Sequence, residues 1–285
     1  MDNVLGDRVR DALGEDVRAI DRLPGGCVGE VYRVTLSDGM TLVVKVDRGD
    51  DPQLDVEAFM LKYLAGHSAL PVPAVRYGEP SLLIMEYLPG DSRFSVASEH
   101  HAADLLAELH AVRGEDFGLE RDTLIGGLHQ PNTQNAAWLS FFREQRLLHM
   151  AKEAVREGRM DSATFTRLEN FAEKLEDLID EPEFPSLLHG DVWTTNVLAQ
   201  GDRITGFIDP AVYYGHPEIE LAFITLFDTF GDAFFSRYAE HRPIAPGFFE
   251  ERRHIYNLYP LLVHVRLFGG GYLSSVEGTL SRFGF

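Results

Sequence analysis

The chain has 285 residues, 45% of them hydrophobic and 25% charged, a balance that supports one large buried core or two modest ones and argues against a disordered chain. Its formal charge of −19 argues against a nucleic-acid surface and against an anionic membrane, since both call for clustered Lys and Arg and no such stripe is present. One cysteine excludes an intramolecular disulfide framework. The opening MDNVLGDRVRDALGEDVRAI lacks the apolar run of a signal peptide, and no later run reaches the roughly 18 to 20 residues of a membrane span, so the expected location is the cytoplasm. An acidic chain that binds a nucleotide must do so against its own field, through local N–H groups, a lysine and bound cations.

In chain order, residues 4 to 23 predict a short helix leading into a strand, with Val4, Leu5, Val9 and Leu13 at helical spacing. PGGCVGEVYRVTLSDGMTLVVKV predicts two strands joined by Ser37-Asp38-Gly39, entered through a glycine-rich turn at Gly25, Gly26 and Gly29. LDVEAFMLKYLAG predicts a helix that packs on the sheet through Val56, Phe59, Met60, Tyr63 and Leu64, stopping near Gly66. PVPAVRYG and SLLIMEYL add two strands, and PGD at 89 to 91 breaks the pattern. The expected organisation is α+β and two-lobed, a small lobe over 1–88 and a mainly helical lobe over 89–285. Helical periodicity runs from residue 97 and through 134–157, 161–180, 217–240 and 247–268, interrupted by a short β region around 187–211.

That interruption, LLHGDVWTTNVLAQGDRITGFIDPA, carries the chemistry. An aspartate, an asparagine five residues later and a second aspartate after an apolar run are what a magnesium-dependent phosphoryl-transfer site requires. Asp191 is the candidate base that orients an attacking hydroxyl and takes its proton, while Asn196 and Asp209 offer the hard oxygen ligands that Mg2+ favours. His189 shapes the loop. Lys45, about sixteen residues past the glycine turn, is flanked by Val43, Val44 and Val46 and so needs an anionic partner, for which Glu57 on the next helix is the candidate. Gly25, Gly26 and Gly29 are candidates for cradling ATP phosphates, and the segment from Met85 through Glu86 to Leu88 for offering backbone groups to adenine.

Taken together, these residues resemble the aminoglycoside phosphotransferase and choline kinase type of small-molecule kinases, which share the two-lobed protein-kinase-like fold. HGDVWTTN is similar to their catalytic loop, FIDPA to the metal-binding segment, and LAELH at 106–110 to a helix motif of the group. A closer resemblance is to the fructosamine kinase (ketosamine 3-kinase) family, carried by GGCVGEVY, WLSFFREQRL, HGDVW and DPAVYYGHPEIELAF over residues 25 to about 272. It implies ATP and Mg2+ as cofactors and a small-molecule ketosamine or glycated amine as partner, phosphorylated on the sugar 3-hydroxyl. It also implies Trp193 as a lining residue of the ketosamine pocket. Tyr214 and His216 are further substrate-site candidates, with His216 and Glu218 shaping the loop and Glu220 mainly structural. Val192 and Thr194-Thr195 depart from the family's usual leucine and small pair, which is expected to alter the pocket. Two alternatives remain: another small alcohol as acceptor, of the aminoglycoside or choline kind, and a nucleotide-binding sensor without useful turnover. His100, His101, Asp104 and Glu108 read as a solvated helix face, Trp138, Phe141 and Phe142 as core, and Cys27 as a small buried thiol.

Overall fold

The computed structural model describes residues 2–24 and 29–285. Helix α1 (Asp2–Leu13) leads into strands β1 (Val17–Arg22), β2 (Glu30–Leu36) and β3 (Thr41–Val46), then helix α2 (Leu54–His67) and strands β4 (Val75–Glu79) and β5 (Leu82–Glu86). The five strands form one antiparallel sheet in the order β1-β2-β3-β5-β4. Successive side chains of a strand point to opposite faces, and β3 uses both. Leu42, Val44 and Val46 pack under α1 with Leu5, Val9, Val34 and Ile84, whereas Val43 packs with Leu83 and Met85 on the side covered by α2. Lys45 shares the parity of Val43 and is therefore aimed at α2 from within an apolar surface.

α2 is covered on two sides, which corrects the expected packing. Leu54, Ala58 and Leu61, at i, i+4 and i+7, meet the sheet, each leucine contributing about 2 kcal/mol by burial. The stripe of Val56, Phe59, Met60, Tyr63 and Leu64 instead packs against the large helical core. Periodicity found a real apolar face, but a helix wedged between two lobes has a second one. The helix also runs past Gly66 to His67.

The second lobe begins with α3 (Val96–Leu109), opened by a capping box between Ser95 and Ser98. A hairpin, β6 (Thr123–Ile125) and β7 (Leu128–Gln130), follows, then α4 (Trp138–Phe141), a π-helical turn over Phe142–Leu148 and α5 (His149–Arg156). α6 (Ser162–Ala172) ends well short of residue 180 and is followed by a short 3-10 turn at Leu175–Asp177. Strands β8 (Ser186–Leu188), β9 (Val197–Gln200), β10 (Arg203–Phe207) and β11 (Tyr213–Gly215) come next, with β9 pairing β10 and β8 pairing β11. Helices α7 (Pro217–Leu226), α8 (Asp232–His241), α9 (Arg253–Phe268) and α10 (Gly271–Arg282) complete the core.

Trp138, Phe141 and Phe142 are fully buried. The same segment supplies Arg146, whose buried guanidinium donates to Pro131 O at 2.6 Å and Asn132 Oδ1 at 2.7 Å and stacks 3.9 Å over the Tyr213 ring. A buried charge survives there because carbonyl oxygens and an aromatic face replace its water. The polar face of α3 is not simply solvated: His101 Nδ1 accepts from the Ile204 N–H at 3.0 Å, and Asp104 accepts from Arg237 at 2.6 Å. It docks β10 and α8. Among the described residues, no helix is long and apolar enough to cross a membrane.

Candidate active site

The catalytic-loop candidate follows β8. Gly190 lies at φ 86°, and a Cβ there would stand 2.0 Å from Ala211 O, so only glycine lets the loop pack so tightly on the segment after Asp209. Ala211 N–H donates to His189 O at 2.8 Å, and the Gln130 amide of the β6–β7 hairpin donates to Ala211 O at 3.1 Å. Gly190 N–H donates to Glu220 Oε1 at 2.6 Å, and the other oxygen of Glu220 pairs with His110 Nε2 at 2.9 Å. Burial would raise the Glu220 carboxyl, but the hydrogen bonds with His110 and from Gly190 hold it below its ordinary value. It stays an acceptor.

Asp191 is joined to Asn196, whose Nδ2 donates to Asp191 Oδ2 at 2.8 Å and to its backbone oxygen at 3.1 Å. Burial pushes the Asp191 carboxyl well up, and the negative charge of Asp209 adds to this against the Asn196 hydrogen bond. His189, fully buried, gives its Nδ1 to the Asp191 N–H at 3.3 Å and is pushed down to about 4 by burial, Glu220 and Asp209 opposing. It is a neutral loop-shaping group.

Lys45 forms ion pairs with Glu57, at 2.7 Å, and with Asp209 from the other lobe. Burial disfavours its charge, but the two carboxylates outweigh burial and raise its pKa, so the ammonium persists. One positive charge serves two negative ones. Glu57, the less exposed of the two, is pushed up to about 7 by burial, with Lys45 opposing and Asp209 adding. Asp209 takes φ 54°, a left-handed conformation that costs a non-glycine residue on the order of 1 kcal/mol. That backbone turns its carboxylate toward Lys45.

Gly29, at φ 73°, would place a Cβ 2.5 Å from Val46 O, so the chain passes directly over the end of β3, next to Lys45. Gly25, Gly26 and Cys27 lie outside the described residues. Glu86 ends β5 with an exposed side chain, its N–H donating to Ala74 O at 2.9 Å. The Leu88 side chain fills the space a residue larger than Gly206 would need, 2.1 Å from a Cβ placed there. The inter-lobe segment thereby leans on β10, three residues before Asp209.

Trp193 is half-buried, its ring 5.3 Å from Phe227. Phe227 in turn lies 5.1 Å from His264, which lies 4.9 Å from Tyr272. This aromatic wall from α7, α9 and α10 was not anticipated, although Phe223 and Phe227, and His264 and Phe268, stand four apart in the sequence. Asp228, next to Phe227, is exposed and takes φ 48°; with Asp209 it makes up the non-glycine residues at positive φ among those described. It occupies the position after the α7 C-cap, where glycine is the usual residue.

Of the two further substrate-site candidates, Tyr214 faces α2 and His216 caps α7. Tyr214 packs against Tyr63, with ring centroids 6.4 Å apart, and a Cβ on Gly114 would lie 2.7 Å from its ring. Alternation along β11 sends it opposite to Tyr213, toward α2. His216 is the N-cap of α7, accepting the Glu218 N–H on Nδ1 at 3.0 Å, and it borders a separate cavity. Val192 is buried in the core and cannot line a pocket, which corrects that part of the expected departure. Thr194 meets Thr229 at 3.5 Å.

The oxygen set at the centre fits a hard divalent cation. Among the described residues, Asn196 uses its Nδ2 on Asp191 and leaves Oδ1 with only a 3.4 Å contact from Thr195, and Asp209 uses Oδ1 on Lys45 and keeps Oδ2. The repulsion that raises Asp191 is of the kind a cation between the two acids relieves.

The fructosamine kinase family profile matches residues 1–283. The chain is 33% identical to a protein of Vibrio parahaemolyticus named "probable ketoamine kinase", over 92% of this chain and 91% of that one. It is 33% identical to the chloroplastic protein-ribulosamine 3-kinase of Arabidopsis thaliana, over 94% and 83%. A crystal structure provisionally attributed to a fructosamine-3-kinase of Thermobifida fusca superposes with a TM-score of 0.87 at 33% identity, covering 98% of this chain and 99% of that one. An aminoglycoside phosphotransferase superposes at 0.67 with 18% identity over the full length of both, which shows the protein-kinase-like fold alone. The chain belongs to the fructosamine kinase family.

Proposed function

We propose that the protein transfers the γ-phosphoryl group of ATP to the 3-hydroxyl of the sugar part of a ketosamine, in the cytoplasm, with Asp191 as the base. The observation that carries the reading is the convergence of Lys45, paired to Glu57 and Asp209, with Asp191, paired to Asn196. Lys45 is a fixed cation for the nucleotide phosphates, and Gly29 lets the backbone pass close above it. Asn196 and Asp209 would hold Mg2+, which supplies charge neutralisation on the phosphates when bound. Asp191 orients the acceptor hydroxyl in line with the γ-phosphorus. As the new O–P bond forms and the bond to the bridging oxygen of ADP breaks, the hydroxyl proton passes to the Asp191 carboxylate.

A ketosamine carries a protonated secondary amine close to the reacting hydroxyl. Trp193 and Phe227 offer aromatic faces and Asp228 an exposed carboxylate in one neighbourhood of the catalytic loop, a combination suited to a cationic amine. This supports the ketosamine reading over a neutral alcohol.

The test is magnesium-dependent ADP release with ribulosyl-, erythrulosyl- and fructosyl-lysine, an aminoglycoside and choline, with Asp191→Asn as control. Expected is ketosamine-dependent turnover that falls by roughly 10³-fold in the variant while ATP still binds. Turnover retained by the variant would remove Asp191 from its role, and turnover confined to the aminoglycoside or choline would change the acceptor.

A further inference from the structure

A cavity of about 500 Å³ lies away from the catalytic loop. β8 and β11 pair antiparallel, with Leu188 opposite Tyr213 and Ser186 opposite Gly215. Asp191 follows one end of that pair, so Phe184 and His216, which border the cavity, stand at the other end.

The charged groups around this cavity differ in how far they are already satisfied. Glu218 is held by two nitrogens of Arg252, at 2.6 and 2.7 Å. Glu181 is occupied by the N–H groups of Trp138 and Leu139, at 2.6 and 3.0 Å. Glu183 and Arg113 are 3.7 Å apart and mostly exposed, where such a pair contributes little. Asp180 is exposed. Arg242 is different: it is half-buried, 5.3 Å over the Phe184 ring, with no carboxylate at ion-pair distance among the described residues. Arg113 approaches the same ring at 3.8 Å. In a chain of net charge −19, two guanidiniums thus share one ring, and one of them lacks a counter-ion among the described residues.

The wall of the cavity leads back to the catalytic loop. Tyr238 borders it, and its hydroxyl meets His110 Nδ1 at 2.7 Å. His110 Nε2 meets Glu220 at 2.9 Å, and Glu220 accepts the Gly190 N–H at 2.6 Å. All three side chains are buried, so water does not compete for these bonds. The Arg242 charge is close enough to the Tyr238 phenol to oppose the effect of burial on its acidity. Tyr238 and Arg242 both border the cavity, so an anion held by Arg242 lies beside the first member of the chain.

We propose that this cavity binds a small anion, phosphate or carboxylate in chemistry, through Arg242 with Arg113, and that its occupancy reaches Gly190 through Tyr238, His110 and Glu220. Coupling of this kind has to be measured and not read from adjacency.

The chain has two tryptophans, one near each place. The Trp138 ring is 6.1 Å from His216 at the cavity, and Trp193 belongs to the catalytic loop. The indole N–H resonances of ¹⁵N-labelled protein, assigned with Trp193→Phe, report the two places separately. The full chain, with its nucleotide cleft filled by saturating AMP-PNP, is titrated with inorganic phosphate and separately with succinate. Expected is a saturable Trp138 shift with at least one of them, weakened about tenfold or more in Arg242→Gln and kept in Asp191→Asn; the arm that saturates names the anion. No saturable Trp138 shift, or an Arg242→Gln titration like that of the unsubstituted protein, overturns the site. The coupling is tested by kcat at saturating anion, expected to change at least twofold in the unsubstituted protein and not in Arg242→Gln; an unchanged rate overturns it. The binding arm needs no turnover, so it stands or falls separately from the ketosamine reading.

Discussion

The backbone N–H of Gly190 donates to the carboxylate of Glu220 at 2.6 Å, across 30 residues of sequence. A charged acceptor on a helix fixes the peptide that precedes Asp191, while its second oxygen is held by His110. Glu220 is therefore expected to act as a positioning residue. Glu220→Ala is expected to leave Gly190 N–H and His110 without their partner, costing about 3 kcal/mol or more of stability, and to lower kcat about tenfold or more with little change in the KM for ATP. Glu220→Gln, which keeps an acceptor for Gly190, should recover part of the rate. Urea unfolding and steady-state kinetics on both variants decide it, and a KM effect without a kcat effect would count against positioning.

Lys45 is shared between Glu57 and Asp209. Lys45→Met removes the only cation of this trio and should cost about 3–5 kcal/mol along with nearly all turnover. Lys45 opposes the burial that raises Glu57 to about 7, so without it this carboxyl rises further and holds its proton to higher pH than the unfolded chain does; the loss should therefore be larger at pH 8 than at pH 6. Adding Glu57→Gln should restore part of the stability and none of the activity. Strict additivity of the two substitutions in urea unfolding would show that the charges are not coupled.

Asp228 occupies a left-handed position at φ 48° that glycine adopts more cheaply. Asp228→Gly is therefore expected to leave stability unchanged or raise it by up to about 1 kcal/mol. If the carboxylate receives the amine of the acceptor, the same variant raises the KM for a ketosamine about tenfold without changing that for ATP. A melting curve and two KM values give the answer; an unchanged ketosamine KM would leave Asp228 as a helix terminus only.

His189 is buried and pushed down to about 4, from an ordinary value near 6.5. Between these values the unfolded chain takes up a proton that the folded protein does not, so this residue's effect is a loss of stability as pH falls from 6.5 toward 4. At pH 5 the loss from this residue is about 2 kcal/mol. His189→Asn keeps an acceptor near the Asp191 N–H and does not titrate, so its stability should fall less steeply between pH 7 and 5. Parallel curves for the two proteins would mean that His189 is protonated in the folded state or that other groups dominate.

Much of this arrangement is legible along the chain. The strands of the first sheet announce themselves by alternation and turns, and parity along TLVVKV is enough to put Lys45 on the α2 side of the sheet. Asp191 and Asn196 are five residues apart on one loop, so their pairing is a local matter. Strands of three residues, as in β6 and β7, contain too few alternations to be seen, and so the Gln130 support of Ala211 was missed. The surroundings of Tyr214 and His216 were not legible either, since strand parity turns Tyr214 toward Tyr63 and the start of α7 makes His216 its cap.

By itself, then, the sequence determined the fold class and the residue types of the reactive loop, because those depend on short-range spacing and on hydrophobic period, while the family came from the resemblance of whole motifs such as DPAVYYGHPEIELAF. Only the tertiary structure decided that Glu220 holds Gly190, that Tyr238 and His110 connect it to a distant cavity, and that Trp193 faces an aromatic wall from three helices. Apart from the neighbouring His264 and Tyr272, those contacts join residues 30 to 128 positions apart, and what sets them is the packing of whole elements against one another, which no local pattern encodes.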